Sequence, residues 1–498
     1  MKIFHIKTYK LKIATVAILA IPLIGSISSC KKDFLTAEPE LTLPEAEAFA
    51  NPTRILAQVN GLYFSIKSGA FLGGRYLIYN DIRAEEFSNR TSNGVTGLTV
   101  YQGTNVASDT YIARLWSQGY ITINRVNLFL KGMTDHPGVL TQAVSDNYVA
   151  EAKFLRALSY FSLIQIFAKP YLLDNGASRG MPLRLLPETN LQNNRLKSSS
   201  VAAIYAQVLK DLNEAETGLP NTQGDALGNT TRAHKNTAIA LKTRVYLAMG
   251  KYDKVIEEGN KLVSQTAPFI TVDAARVGHA LQANVVNVFA APYTTSESIL
   301  SFPFAETNVP NTQNQLGYYF NVGNGNLEYS LNITGAGIYA DPSWRATDAR
   351  KTGLTATSSF AGRTYTYPTK FKGINPFLDS APVIRYAEVL LNLAEAEALN
   401  PGGNLVRSRA LLDAVRKRSD PTYDFGVLAT SADLLAAILK ERRIEFLTEG
   451  MRYNDLARRV APIPSFGAGS VSIPVTDPRY TFPIPLQETN TNPEVNNM

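Results

Sequence analysis

The chain has 498 residues, 49 basic against 42 acidic, a net charge of +7 and one cysteine. A single cysteine excludes an internal disulfide framework, so the fold must be held by burial, which a chain of this length can supply. The basic excess is small for so many residues and does not point to nucleic acid.

Residues 1–12 carry Lys2, Lys7, Lys10 and Lys12 and no acid, and the apolar run IATVAILAIPLIGSI follows from Ile13 to Ile27. At about fifteen residues the run matches a signal-peptide core and falls short of the roughly twenty that a spanning helix needs. It ends in Ser28-Ser29-Cys30, small residues directly before the only cysteine, the pattern read by a lipoprotein signal peptidase. Residues 1–29 are therefore expected to leave as a signal peptide, with the thiol of Cys30 taking the lipid and residues 30–44 forming a polar tether. Loss of the four lysines takes the net charge from +7 to +3. No second apolar run approaches spanning length, so the chain is expected to be anchored to a membrane and not threaded through it.

Helical periodicity appears at Glu45–Tyr63 and, more strongly, at Tyr111–Lys131, where Leu115, Trp116, Ile123, Val126 and Leu130 recur at three- and four-residue spacing. The next helix, Val144–Phe167, starts near Ser145 or Asp146 and stops before Lys169-Pro170; another spans Ser200–Thr217. Asn236–Val263 reads as two helices broken at Gly250, with small residues and a Gly-Lys-Tyr turn like a tetratricopeptide unit. Similar pairs occur at Ile384–Leu399 with Leu405–Lys417, and at Ser431–Thr448 with Tyr453–Val460. Several degenerate units in one chain predict stacked helix pairs. Two stretches break the pattern. Residues 68–110 are rich in Gly, Asn, Ser and Thr, and residues 264–380 mix short strand-like pieces (Ser298–Phe304, Thr364–Tyr367) with turns. Loops this long usually carry function. The expected fold class is mostly α: one domain over 45–498, with a helical scaffold at about 45–67, 111–263 and 381–460 and loop-rich insertions at about 68–110 and 264–380.

Catalytic signatures are sparse. His136, His234 and His279 lie far apart and outside any metal-ligand spacing, and neither a nucleophile elbow nor a Walker loop occurs. The GNGN at 323–326 lacks the strand–turn–helix context of a phosphate loop. Asp81, Glu85 and Glu86 stay open as acid–base candidates, since hydrolysis of a glycosidic bond needs two carboxylates facing it. No enzyme activity, metal or cofactor is expected. The charges Arg385, Glu388, Glu395, Glu441, Arg442, Arg443, Glu445, Glu449, Arg452 and Asp455 fall at helical spacing and read as ion pairs that pin packing, Arg385 with Glu388 among them.

Aromatic residues, with 24 Tyr, 22 Phe and two Trp, carry the functional argument. A sugar ring offers an apolar C–H face and a polar rim, which suits aromatic planes beside amides and charges. Tyr111, Trp116, Tyr148, Phe154, Tyr160 and Phe161 sit on helices and read as core. Tyr76, Tyr79, Tyr101, Tyr318, Tyr319 and Phe320 sit in the insertions and are less constrained.

Six segments in order then resemble the SusD/RagB family of outer-membrane lipoproteins: CKKDFL, LWSQGYITINRVNLFL, EAKFLRALSYFSLIQIFAKPYL, APVIRYAEVLLNLAEAEA, ERRIEFLTEGMRYNDLAR and FPIPLQETNTNPEVNNM. Thr448, where a glycine is common, and the terminal Asn496-Asn497-Met498 depart from the pattern. The resemblance implies a SusD-like scaffold and a surface-exposed, lipid-anchored place at the outer membrane. It also implies a role in binding a nutrient and delivering it to a SusC-like TonB-dependent transporter. The ligand it implies is an oligosaccharide or polysaccharide; the alternatives are a peptide, as in RagB-like uptake subunits, or a surface glycan hydrolase. The family's ligand surface falls between the early helices and in the middle insertion. In this chain that predicts Tyr79, Asp81, Tyr101, Gln102, Tyr318 and Tyr319 as ligand contacts. Trp344, in PSWRATDAR, reads either as core or as a further ring for the ligand.

Overall fold

The structure, a computed structural model, describes residues 45–322, 327–360, 362–465 and 471–498. The expected signal peptide, Cys30 and the tether lie outside the described residues, as does the GNGN at 323–326.

Eleven helices carry the account. The first, α1 (Pro52–Ile66), opens with Pro52 under an Asn51 cap whose side chain accepts from the Arg54 amide at 3.0 Å. Ile55, Val59, Leu62 and Ile66 form its buried stripe. After α2 (Arg75–Ile82) comes α3 (Thr110–Asp135), where Asp109 accepts from the Tyr111 and Ile112 amides at 2.9 and 3.2 Å. Every residue from Phe154 to Phe167 in α4 (Gln142–Phe167) is buried. A helix buried on all sides must sit at the centre, its Arg156 paired with Asp211 of α5 (Val201–Gly218), and α1, α3 and α5 all pack on it. From there the helices stack in chain order. α5 meets α6 (Lys235–Ala248), which turns through Gly250 at φ +66° into α7 (Tyr252–Asn260). α7 meets α8 (Tyr386–Leu399), which packs on both α9 (Leu405–Ser419) and α10 (Ser431–Glu445). The short α11 (Arg452–Ala457) returns to α2. The mostly α, helix-pair architecture expected from periodicity is the one observed.

Among the described residues strands occur as four antiparallel pairs: β1 (Phe87–Asn89) with β5 (Tyr329–Leu331), β2 (Arg179–Pro182) with β3 (Ser198–Ser200), β4 (Ser298–Phe302) with β8 (Ala381–Arg385), and β6 (Thr355–Phe360) with β7 (Arg363–Pro368). Two of these change the sequence reading. Ile384 and Arg385, read as helix, end β8, because Leu300 and Ser298 of β4 offer them ladder partners and a β-branched residue such as Ile384 fits a strand well. The stretch read as loop at 68–110 contains α2, all eight of whose residues are buried, Arg75, Asn80 and Asp81 among them; with no exposed face its polar and apolar residues follow no helical period.

The charges on α8–α11 form a buried lattice, with partners the spacing did not indicate. Arg385 does not pair with Glu388. Its guanidinium donates to Glu297 (2.5 Å), Glu445 (2.8 Å) and Glu449 (2.7 Å), while Glu388 accepts from Arg244 on α6 at 2.5 Å. Arg350 and Arg418 also reach Glu445, at 2.8 and 2.7 Å. Burial by itself raises the Glu445 carboxyl, but Arg418, Arg385 and Arg350 outweigh it and hold that carboxyl well below the carboxylate range. Arg442 and Arg458 do the same for Asp455 against the same burial, bringing it down to about 2.

Candidate functional site

Arg75, at the start of α2, holds the two insertions together. It is 2% exposed, and its guanidinium lies 4.1 Å from the centroid of Tyr111. It donates to the Val95 carbonyl at 2.9 Å, to Asn314 Oδ1 at 2.5 Å, to the Gln313 carbonyl at 3.3 Å and to the Tyr79 hydroxyl. Residues 95, 313 and 314 are thereby fixed to one planar fork, which suits arginine better than lysine. Gly97, at φ +88°, closes the first insertion over this hub; a Cβ there would stand 2.8 Å from Cε1 of Tyr79.

Above the hub, β1 and β5 pair Phe87 with Leu331, Ser88 with Ser330 and Asn89 with Tyr329. Tyr319 stacks on Tyr329 at 6.1 Å with planes 5° apart, and Tyr101 meets the Tyr329 ring at 5.8 Å. Rings therefore run outward from buried Tyr319 to half-buried Tyr101. Burial raises the Tyr101 phenol, opposed by the Asn89 backbone and the Arg90 charge. Arg90 is exposed at the end of the ladder. Its amide donates to the Glu328 carbonyl at 2.8 Å and its Nε to Ser330 Oγ at 2.7 Å, and the guanidinium lies 4.8 Å from the Tyr365 centroid on β7. The result is a shallow surface of ring faces (Tyr101, Tyr365), a guanidinium held at Nε, and the exposed Gln102 amide.

The expected ligand residues fall on both sides of this surface. Tyr101 and Tyr318 are half-buried and Gln102 is exposed. Tyr318 accepts from Gln313 Nε2 at 3.3 Å and packs on Phe377 at 6.1 Å. The other four lie inside the protein. Tyr79 bonds to Arg75, and burial pushes its phenol up to about 12. Asp81 accepts from the Gly450 and Arg452 amides at 2.9 and 3.3 Å, so it ties α2 to the turn before α11; burial pushes its carboxyl up to about 7 despite those amides. Tyr319 is 0% exposed and donates to the Gln313 carbonyl at 3.0 Å. Trp344 is buried edge-on to Tyr339 at 5.7 Å, the core alternative of its two readings. A ring or carboxyl in an insertion is still core when the insertion packs on itself. Glu85 and Glu86 are buried and face Arg452 and Arg443, with Glu86 also accepting from the Ile338 amide at 2.7 Å. Arg90 and Tyr365 carried no sequence signal, being a lone arginine beside a turn and one ring in a six-residue strand. Among the described residues no cluster of three His, Cys, Asp or Glu is arranged to hold a metal ion.

A groove of about 920 Å³ lies on the other side of Asn314, lined by Ser108, Arg114, Gln118, Asn311 and Asn490 among others. It offers amides and hydroxyls and no aromatic face.

The chain matches two family models: "Starch-binding associating with outer membrane", of the SusD-like type, over residues 33–247, and "SusD family" over residues 378–498. It is 33% identical to a SusD superfamily protein of Bacteroides fragilis whose crystal structure superposes with a TM-score of 0.80, covering 90% of this chain and 99% of that one. SusD-like protein P2 of Formosa agariphila is 25% identical over 91% of this chain and 90% of its own length. A laminarin-binding SusD-like protein, 22% identical, shares the fold with a TM-score of 0.66 over 89% of this chain and 98% of that one.

Proposed function

The chain belongs to the SusD/RagB family of outer-membrane-associated, carbohydrate-binding proteins, and from that premise we propose that it binds an oligosaccharide at the Arg90–Tyr101–Tyr365 surface and passes it to a SusC-like TonB-dependent transporter. We assign it a binding role and no catalytic one, with Cys30 as the point of lipid anchorage at the cell surface. No helix among the described residues is long and apolar enough to cross a membrane, so attachment would fall to that lipid.

The observation that carries the reading is the exposed Arg90 guanidinium beside Tyr365, with the Tyr101 phenol next to it. Two ring faces accept sugar C–H faces while the guanidinium and the Gln102 amide meet hydroxyls. The larger groove has room but no ring, so it meets only half of that requirement. Titration calorimetry against panels of neutral oligosaccharides and oligopeptides tests the reading. A glycan is expected to bind, Tyr101→Ala with Tyr365→Ala to abolish that binding, and Asn490→Ala in the groove to leave it unchanged. Binding confined to oligopeptides would transfer the function to peptide uptake. Cys30→Ala should release the protein from the membrane fraction, and co-purification with a SusC-like transporter tests the partner.

A further inference from the structure

A second cavity, of about 460 Å³, opens between α1, α3 and the chain on either side of the core at 231–232 and 302–308. It shares no residue with the Arg90–Tyr101–Tyr365 surface. Asn60, Gly61 and Phe64 present one face of α1 to it, as the i, i+1, i+4 spacing requires. Phe302 and Pro303 line the apolar side, and Phe64 is 57% exposed. An exposed phenylalanine at a cavity mouth offers a ring face that the fold itself does not use.

The charges in this cavity are one-sided. Lys67, Arg125 and Arg232 line it and no carboxylate does. Arg232 is satisfied from below, donating to buried Glu151 at 2.6 and 3.0 Å, and Lys67 donates to the Pro303 carbonyl at 2.6 Å and to Asn308 Oδ1 at 3.2 Å. Arg125 is exposed and has no acceptor among the described residues. Asn60 and the amide nitrogen of Asn308 are likewise available.

Gly61 adds an independent observation. It sits inside a fifteen-residue helix, where glycine costs about 1 kcal/mol relative to alanine. Yet a Cβ there would meet nothing within 4 Å. Packing therefore does not require the glycine; the empty space above it belongs to the cavity.

We propose that this cavity is a second carbohydrate subsite, selective for an acidic sugar, a uronate ring. Its carboxylate takes the fork of Arg125, its C–H face lies on Phe64, and its hydroxyls meet Asn60 and Asn308. A guanidinium binds a carboxylate bidentately, with more geometric selectivity than an ammonium. The volume falls within the roughly 300–1,000 Å³ of small-ligand sites.

The test is calorimetry on the lipid-free mature chain with trimers of galacturonate, glucuronate and mannuronate, the methyl ester of the galacturonate trimer, and a sulfated neutral trimer. At least one uronate trimer is expected to bind. Arg125→Ala and Gly61→Leu should each weaken it by about tenfold or more, the first by removing the cation and the second by filling the space. Because a Cβ at 61 meets open space and leucine is the better helix former, the melting temperature should hold or rise. Tyr101→Ala with Tyr365→Ala should leave uronate binding unchanged. Failure of all three uronates to bind would overturn the proposal, as would equal affinity for acid and ester, or stronger binding of the sulfated trimer. If uronate affinity falls only in the Tyr101/Tyr365 variant, the proposal fails while the first surface stands as the glycan site.

Discussion

Arg385 and Arg90 are the same residue type in two opposite settings. Arg385 is 2% exposed and surrounded by Glu297, Glu445 and Glu449; Arg90 is exposed, held at Nε by Ser330 and laid beside a tyrosine ring. In the first region every charge has been taken out of water and must be matched by its neighbours. In the second the cation keeps its hydration on one side and is available to a ligand. The difference separates a cation that holds the fold from one that the proposed site would use.

The comparison breaks first where charge is buried. Arg385→Met removes the one cation shared by three buried carboxylates, leaving Glu297 to Arg418, Glu445 to Arg350 and Arg418, and Glu449 to Lys370; it should cost roughly 3–5 kcal/mol, read as a large fall in denaturant midpoint. Next comes Tyr319→Ala, which removes a ring stacked in the core and should cost about 3 kcal/mol or more. A near-wild-type midpoint for that variant would return Tyr319 to the ligand surface.

A smaller effect tracks pH. His234 and His279 stack at 5.6 Å; burial lowers them to about 3 and about 4, with His279 also acting on His234. Both stay neutral in the fold while the open chain takes up protons below about 6.5, so their contribution is present above that pH and lost as it falls toward 4. Asp81, raised to about 7, runs the other way, taking its proton in the fold first, so acidification below 7 favours the fold at that residue. Comparing the native chain with His279→Gln isolates one histidine. The native advantage should shrink by about 1.4 kcal/mol per pH unit between about 6.5 and 4, measured by urea unfolding.

The smallest stability change belongs to the surface. Tyr365→Ala should move the unfolding free energy by less than about 1 kcal/mol, yet weaken glycan binding by about 2 kcal/mol or more. A variant that lost both together would place Tyr365 with the core.

Much of this was legible in the residues. Periodicity marked α1, α3 and the later helix pairs, while α4, buried on every side over its second half, was marked by its end signals at Ser145 or Asp146 and Pro170; the three-to-four spacing of charges on α8–α11 read as structural, which it is. The individual partners were not legible: Arg385 meets Glu297, in the turn before β4 and 88 positions away, and no local spacing encodes that. The same limit applied to the insertions. Tyr79, Asp81 and Tyr319 share composition with a binding loop, and only the fork of Arg75 and the return of α11 over α2 turn them inward. Tyr101 and Gln102 kept their place at the surface.

Local physics thus determined the helices, the expectation of a signal peptide from four lysines before an apolar run, and the shortage of catalytic signatures, because these depend on residues within a few positions of one another. Tertiary structure alone decided which insertion rings face solvent, which cation stays unpaired and where Gly61 leaves space. Those depend on distant segments meeting, and burial at one residue is set by the neighbours that cover it.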